Sequence, residues 1–303
     1  MTVAAYIAIY AGVLIFLAGC ARRVWQYART PLHLRWELYP VPHEGPYRAA
    51  YGGSYFEAQG WWRTPQTRDR WHEWRVMAEE ILLLKSLREL NRRLWAPSFA
   101  FHFGLYVAIA AAGMGTAAGA VRGELASGLA TAAGAAGSTG CVMVVAGACW
   151  LLARRLRDPG TRNSTHAADI FNLMVFIAVF GMLACGYLAR GAATASLGEF
   201  ARGVIHFDRG VPVGTGFGAG VILASALAAY IPFTHMAHFI AKYFAWHSVR
   251  WDDRRNVRGG AMEAEIAANL GRRPTWAAQH VGADGERSWA DVASANPVQE
   301  ARK

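Results

Sequence analysis

The hydrophobic residues of this chain fall into five long runs, and polar segments that carry most of the charge separate them. A helix needs about 20 apolar residues to cross a membrane, and each run approaches or exceeds this length. The pattern therefore predicts an all-α integral membrane protein, a bundle of five transmembrane helices. The five runs are residues 3–20, 99–120, 125–153, 168–189 and 213–246.

The polar segment before the second run changes character along its length. Its first part is rich in Pro, Gly and Tyr, whereas apolar side chains recur at three- and four-residue steps in residues 61–95. This periodicity predicts an amphipathic helix that lies on the membrane surface, docks a soluble partner, or does both. The apolar positions are Trp71, Trp74, Met77, Ile81, Leu84, Leu87 and Leu94.

Composition and charge placement agree with a membrane protein. Of 303 residues, 54% are hydrophobic and 17% are charged, whereas about 25% charged residues is usual in soluble domains. The positive charge is concentrated in residues 21–97, which hold 13 Lys or Arg, after the third run, and in the tail. The positive-inside rule then places the N-terminus outside and the C-terminus in the cytoplasm. No aromatic and basic reading surface accompanies the charge, so no nucleic acid partner is expected.

Two interpretations of the first run compete. The letters LAGC at residues 17–20 resemble the cleavage box of a bacterial lipoprotein, and the run is short enough for a signal peptide. A signal peptide needs a basic start, however, and the first basic residue is Arg22. Arg22 and Arg23 directly after the run instead favour an uncleaved first helix that ends in the cytoplasm.

The cysteines argue against two kinds of metal centre. Cys20, Cys141, Cys149 and Cys185 lie in or beside the apolar runs, and no two of them form a Cys-x-x-Cys pair. Iron–sulfur clusters and structural zinc sites use closely spaced thiolates. The four cysteines are therefore interpreted as small core residues.

Two histidines inside the predicted helices are candidates for a cofactor site. His102 lies about one turn inside the second run, and His238 lies about two turns before Trp246 in the last run. At about 1.5 Å per residue, both fall roughly 8–12 Å from the same membrane boundary. Histidines at one depth on two helices can hold a haem iron from both sides. Each histidine could instead form a hydrogen bond within the bundle, and spacing alone leaves both possibilities open.

Three motifs resemble a known family. They are FHFGLY in the second run, RRLRDPGTRNSTHAADIFNL leading into the fourth, and PFTHMAHF in the last. They resemble the cytochrome b (gamma) subunit of respiratory nitrate reductase, and more closely its relatives in heterodisulfide-reductase-like and sulfite-reductase-associated complexes. The resemblance implies a multi-pass subunit of the bacterial or archaeal inner membrane that carries haem b. It also implies electron exchange between menaquinone or ubiquinone and a cytoplasmic iron–sulfur partner of the heterodisulfide-reductase type.

Carried over position by position, the resemblance implies one haem rather than two. The family's two ligand positions on the second helix fall on His102 and Ala112, and those on the last helix fall on Gly220 and His238. Ala112 and Gly220 have no side chain that binds iron. The resemblance thus implies a single haem b near the cytoplasmic face, with His102 and His238 as the axial ligands, and loss of the outer haem.

Four further positions have weaker roles in this interpretation. His235, one turn before His238, is a candidate for binding a haem propionate or a quinone carbonyl, or it simply lies in the bundle. Quinone chemistry needs a proton donor or acceptor, and His235 and Lys242 are the candidates on the inner side. His166 and Asp169 resemble a capping region at the start of the fourth helix.

One histidine is placed on the outer side. With Met114 or Met182, His206 could form an unusual His/Met site, but a solvated loop histidine is the simpler interpretation.

These features divide the chain into four parts. They are a first transmembrane helix, a cytoplasmic loop with an amphipathic helix, a four-helix haem-binding part and a cytoplasmic tail, at residues 1–20, 21–97, 98–246 and 247–303. Trp276 and Trp289 in the tail indicate that it packs along a partner.

The leading hypothesis is an electron-transfer subunit without an active site of its own, so that any enzyme activity belongs to a quinone oxidoreductase complex. The alternatives are a membrane anchor without a cofactor and a transporter. Against a transporter, no inverted repeat is visible, and ionisable residues near mid-membrane occur only in the last run. The visible spectrum of the purified protein separates a haem protein from an anchor.

Overall fold

The computed structural model describes residues 1–30, 40–45, 53–189, 195–275 and 284–295. Within these ranges the chain is helical and contains no strand. The helices are α1 (Thr2–Ala28), α2 (Arg70–Leu83), α3 (Lys85–Leu90), α4 (Arg92–Ala120), α5 (Gly123–Arg157), α6 (Pro159–Arg162), α7 (Ala167–Leu188), α8 (Leu197–His206), α9 (Thr215–Tyr230), α10 (His238–Ala245), α11 (Ala261–Leu270) and α12 (Trp289–Ser294). Shorter helical turns occur at Pro42–Glu44, Tyr55–Glu57, Trp61–Arg63, Ile231–Phe233, His235–Ala237 and Trp246–Arg250.

Among the described residues, five helical stretches are long and apolar enough to cross a membrane. They are α1, α4, α5, α7 and the stretch Thr215–Phe233. Each corresponds to one of the five runs read from the sequence. The prediction of an all-α integral membrane bundle with five transmembrane helices is therefore confirmed.

The last run is not one helix, as the unbroken apolar pattern to residue 246 predicted. Helix α9 ends at Tyr230, and two 3-10 turns precede α10. Pro232 has no N–H to donate, so it cannot continue the hydrogen-bond ladder. Thr234 then adopts an extended backbone, and its hydroxyl accepts the N–H of Met236 at 3.1 Å. Hydrophobicity alone does not reveal this break, because the run stays apolar across it.

The amphipathic segment is also interrupted, because its apolar positions are spread over α2, α3 and the start of α4. Leu84 has a positive φ of 50° and separates α2 from α3. Asn91 then starts α4, because its side-chain oxygen accepts the N–H of Leu94 at 3.1 Å. Met77 is buried, whereas Trp71 on the same helix is 80% exposed.

The chain divides into two compact units. The first unit consists of residues 1–21 and 74–237, and the second of residues 22–73 and 238–303. In the first unit α4 packs against α5 and α8, while α5 packs against α7 and α7 against α9. One buried apolar cluster includes Phe101, Phe176 and Leu227, and a second includes Tyr6, Phe200 and Phe217.

Glycines allow α4 and α5 to approach backbone to backbone. A Cβ on Gly147 would lie 2.5 Å from the backbone nitrogen of Phe101, and one on Gly140 would lie 2.8 Å from that of Ala108. A Cβ on Gly104 would lie 2.7 Å from the backbone nitrogen of Val144. Small residues let helices approach closely in lipid, where dispersion contacts rather than water exclusion hold them together. The many Gly and Ala residues of the third run serve this contact.

The first helix is part of the same bundle. Two glycines of α1 allow close contact with the last transmembrane stretch. A Cβ on Gly12 would lie 2.6 Å from the carbonyl oxygen of Ser225, and a Cβ on Gly19 would lie 2.6 Å from Cβ of Pro232. Tyr6 is fully buried, with its ring 5.8 Å from that of Phe200. Helix α1 continues past residue 20 to Ala28 and packs as a transmembrane member of the first unit.

The second unit holds its short elements together with buried polar groups. The carboxylate of Glu44, which is 3% exposed, accepts the hydroxyl of Ser54 at 2.7 Å and the N–H of Tyr55 at 2.9 Å. The rings of Trp246 and Trp251 stack in parallel with centroids 5.3 Å apart. Tyr27 at the end of α1 contacts Phe244, with ring centroids 5.7 Å apart.

Candidate functional site

The ring of His102, one of the two sequence-predicted ligands, has a defined hydrogen bond. Its Nδ1 lies 2.7 Å from the backbone carbonyl oxygen of Ser98, one turn earlier in α4. A carbonyl only accepts, so Nδ1 carries the proton and, in the neutral ring, Nε2 carries the lone pair. Histidines that bind metals usually donate their other ring N–H in this way, which fixes the tautomer and the ring orientation. The donor chemistry of His102 therefore fits an axial ligand of haem iron.

Close packing sets the position of this histidine. The preceding residue, Phe101, is buried in the first apolar cluster, where its ring meets that of Phe176 edge-on with centroids 4.9 Å apart. Gly147 of α5 lies against the Phe101 backbone, so α4 cannot slide or rotate locally without a clash. His102 itself is half-buried at the edge of this cluster.

The positions that would carry a second ligand pair are unsuited to it. A Cβ on Gly220 would lie 2.9 Å from Cδ2 of Leu183, so α9 packs directly on α7 there. Ala112 is exposed on α4, and its carbonyl accepts the hydroxyl of Thr116 at 2.9 Å. At Gly220, a neighbouring leucine takes the space into which a ligand side chain would project.

A polar cluster lies where the start of α7 meets the end of α9 and the turn His235–Ala237. Nε2 of His235 is 3.6 Å from Oδ1 of Asp169 and 3.5 Å from Nδ2 of Asn172. The hydroxyl of Tyr230 donates to Oδ1 of Asn172 at 3.2 Å. Asn172 is buried at 5% exposure, whereas the His235 side chain is 59% exposed. We call these four residues the α7–α9 polar cluster.

The second oxygen of Asp169 is held from the other side. Oδ2 accepts the backbone N–H of His166 at 3.0 Å, so Asp169 caps α7 as the sequence indicated. Nη1 of Arg155 lies 3.4 Å from the same oxygen and 3.2 Å from the hydroxyl of Thr165. The side chain of His166 is 87% exposed, with Nδ1 3.9 Å from this oxygen.

His238 begins α10, and the boundary between the two compact units falls directly before it. His102 and His235 belong to the first unit and His238 to the second. In the same helix, Nζ of Lys242 lies 4.9 Å from the ring centroid of Trp246, a cation–π arrangement.

The outer histidine and its two methionine candidates lie in different surroundings. His206 is the exposed last residue of α8, a helix where the sequence indicated a loop. Met114 packs against the apolar cluster of Tyr6. Met182 lines an apolar cavity of about 230 Å³ together with Phe200.

The second unit contains a buried ion-pair cluster that sequence reasoning missed. Nε2 of His43 lies 3.2 Å from Oδ2 of Asp253, and Arg68 binds the other carboxylate oxygen. Burial alone would raise the pKa of Asp253, but the neighbouring His43 and Tyr55 side chains and the charge of Arg68 outweigh it and hold the pKa well below its usual range. The cluster joins the segment after α10 to the loop that follows α1.

A second contact between a histidine and a carboxylate lies in the same unit. Nδ1 of His247 lies 3.3 Å from Oε1 of Glu73. Burial lowers the pKa of His247, and the nearby carboxylate of Glu73 opposes this only in part. Of the two tail tryptophans, Trp276 lies outside the described residues. Trp289 starts α12, where the Ser288 hydroxyl caps the helix.

The α7–α9 polar cluster had one signal in the sequence. Asn172 is the one amide side chain in the fourth run, and a polar residue inside a transmembrane run usually has a buried partner. Its link to Tyr230 and His235, about 60 residues away, depends on the tertiary fold and on the turn at Pro232. The ion-pair cluster of His43 and Asp253 spans a still longer separation and left no such signal.

Comparison with known proteins gives one match. The family model described as nitrate reductase gamma subunit matches residues 81–251, more than half of the chain. The matched range contains His102, the α7–α9 polar cluster and His238. No curated protein matches the chain.

Proposed function

The chain belongs to the nitrate reductase gamma subunit family, and from this premise we propose that it holds one haem b between His102 and His238. Members of this family are membrane cytochrome b subunits that bind haem b and transfer electrons. Haem iron supplies one-electron redox chemistry, and its axial ligands and their hydrogen bonds tune the potential. The chain's own contribution is to hold the iron and to shape the surroundings of the haem.

The hydrogen bond from His102 Nδ1 to the Ser98 carbonyl carries this proposal. It orients the ring and leaves Nε2 as the nitrogen that can donate to iron. The packing of Leu183 against Gly220 supports a single haem, because no ligand can extend from that position. His238, which follows the PFTHMA sequence after α9, is proposed as the second ligand from its place in the family motif.

The visible spectrum of the purified protein tests the haem assignment. We expect the reduced bands of haem b and about one haem per chain. His102→Ala and His238→Ala are each expected to remove these bands, because one histidine alone holds haem b weakly. His166→Ala is the matched control, since this exposed histidine lies on the same protein but outside the proposed ligand pair.

Three outcomes would contradict the assignment. A ratio near two haems per chain would contradict the single site. Unchanged bands in either ligand variant would contradict that ligand, and complete absence of haem in the wild-type protein would favour a cofactor-free anchor.

We further propose that the haem exchanges electrons with menaquinone or ubiquinone and with a cytoplasmic iron–sulfur subunit. The family implies partner subunits such as iron–sulfur proteins. The heterodisulfide-reductase type is proposed from the motifs described above.

The proposed location is a bacterial or archaeal inner membrane. The Arg-rich segments favour an orientation with the N-terminus outside and the C-terminus in the cytoplasm. Reporters fused at Arg122 and at the C-terminus are expected to report opposite sides, and the same side would contradict this topology.

Loop 21–97 and tail 247–303 are proposed to carry the partner contacts. The exposed rings of Trp71 and Trp74 are suited to an interface, because large aromatic side chains dominate binding energy at such surfaces. A tag on the full chain should co-isolate the iron–sulfur subunit in mild detergent. Deleting residues 256–303 should weaken this association and leave the haem spectrum unchanged. A chain that purifies alone and is still oxidised and reduced by quinone at the full rate would contradict the docking proposal.

A further inference from the structure

The α7–α9 polar cluster has the composition of a proton-transfer site. His235 is the titratable side chain in it that combines a carboxylate partner with solvent exposure. Among the described residues its Nδ1 has no hydrogen-bond partner, while Nε2 faces both Asp169 and Asn172. One ring nitrogen is thus directed at the protein and the other is available to an incoming group.

The contacts of Asp169 determine which of its oxygens faces the His235 ring. Asp169 Oδ2 is occupied by the N–H of His166 and by Arg155, so Oδ1 is the oxygen that faces the imidazole. A carboxylate behind an imidazole fixes the orientation of the ring and stabilises the imidazolium that forms on proton transfer. Among the described residues, Asp169 is the charged group that lies beside the ring, and Tyr230 donates to Asn172 rather than to the ring.

We propose that His235 is the acid–base residue for the quinone, with Asp169 as its positioning residue. This inference rests on the proposed electron exchange with quinone. Oxidation of a hydroquinone breaks two O–H bonds and releases two protons and two electrons. The haem and iron–sulfur carriers of the proposed function would receive these electrons one at a time. Nδ1 of His235 takes the protons in turn and passes each to water through its exposed face, and quinone reduction runs in reverse.

The position of the cluster agrees with this role. It lies at the same end of the first unit as Arg155 and the short helix α6, so protons exchange on the Arg-rich side of the membrane. The break at Pro232 allows this chemistry, because it exposes His235 in a turn instead of packing it along a continuous helix. The buried Asn172 lies 3.5 Å from Nε2 of His235 and accepts the hydroxyl of Tyr230, which links the turn to α7 and to the end of α9.

The test uses the purified protein with its haem and a short-chain ubiquinol or menaquinol. Haem reduction is followed by stopped-flow spectroscopy between about pH 5 and 8, the range in which histidine titrates. Proton release is followed with an indicator dye in weak buffer. We expect His235→Gln to slow haem reduction about a hundredfold and to lose the wild-type pH dependence. Asp169→Asn should slow it about tenfold, because the base remains but is no longer oriented.

His166→Gln is the matched control, because this histidine also approaches Asp169 but is almost fully exposed. It should keep the wild-type rate and pH profile. Added imidazole should restore part of the rate of His235→Gly, which distinguishes a lost base from a distorted fold. The haem spectrum of every variant should match that of the wild type.

Two results overturn the inference. A wild-type rate and pH profile in His235→Gln would remove His235 from proton transfer while leaving the proposed function intact. A wild-type protein whose haem binds but is not reduced by either quinol would overturn the quinone exchange itself, and this inference with it.

Discussion

The two compact units differ in the interactions that stabilise each of them internally. In the first unit, α4 and α5 meet through Gly104, Gly140 and Gly147, with backbone against backbone and few polar contacts. In the second unit, buried carboxylates join segments that are far apart in sequence, as with Asp253 and His43. Shape complementarity holds the bundle, whereas charge and hydrogen bonding hold the loop and the tail.

The difference follows from the surroundings of each unit. Helices in lipid gain little from hiding apolar surface, so close approach and dispersion contacts supply their association energy. The second unit adds buried ion pairs to its aromatic contacts, and such pairs are costly to leave half-formed. The bundle should therefore be sensitive to added volume and insensitive to pH, and the second unit should show the opposite behaviour.

The largest expected effect is on the second unit. Asp253→Asn removes the carboxylate that His43 and Arg68 contact. We expect the second unit to lose about 3 kcal/mol of stability. This is the lower end of the range for breaking a buried ion pair, because the Arg68 side chain is half exposed. Hydrogen exchange of α10 and of the turn Tyr55–Glu57 measures this loss. Glu286→Gln is the control, since its pair with Arg273 is exposed at both ends, and it should change nothing. Equal exchange in both variants would contradict the role of the buried cluster.

An intermediate effect is expected in the bundle. Gly147→Ala places a methyl group 2.5 Å from the Phe101 backbone nitrogen and should cost about 2 kcal/mol through overpacking. Thermal unfolding in detergent, followed through the haem bands, measures it. Gly128→Ala on the same helix is the matched control, because no atom lies within 4 Å of the added carbon. If both variants unfold at the wild-type temperature, close approach of α4 and α5 is not what stabilises the bundle.

The smallest effect is a pH dependence confined to the second unit. Burial keeps the pKa of His247 below its ordinary value in the folded unit, so the unfolded chain takes up the proton first as the pH falls below about 6.5. Stability is therefore full above this value and decreases on acidification, until His247 in the folded unit also becomes protonated. Limited proteolysis of the tail should become faster at mildly acidic pH. His247→Gln should remove this change, and an equal acid sensitivity of the bundle would contradict the comparison.

A second loss is expected at lower pH. Because the pKa of Asp253 is depressed in the folded unit, its contribution is present above the ordinary aspartate value of about 4 and is lost as the pH falls further.

The sequence predicted the spans better than the connections between them. Length and hydropathy were enough to locate five membrane helices, because burial in lipid imposes that pattern on any sequence. The stop at Pro232 and the break at Leu84 were missed, since both occur inside patterns that remain periodic or apolar. Their effect depends on one backbone group each, which a window of many residues averages out.

The candidate site was predicted in part for a similar reason. His102 and His235 stood out because histidine is rare in an apolar run. Asp169 was recognised as a helix cap, but its contact with His235 needs the fold of α7 against α9. The proton on Nδ1 of His102 follows from one carbonyl of the preceding turn, which only coordinates reveal.

The glycine contacts of α1 have a consequence for how the protein is made. Gly12 and Gly19 meet Ser225 and Pro232, which are synthesised about 210 residues later. At about 5–20 residues per second, the first helix waits roughly 10–40 s for its partner to leave the ribosome. During that interval the surface at Gly12 and Gly19 faces lipid or the insertion machinery. The bundle therefore closes last at the seam between its first and last transmembrane helices.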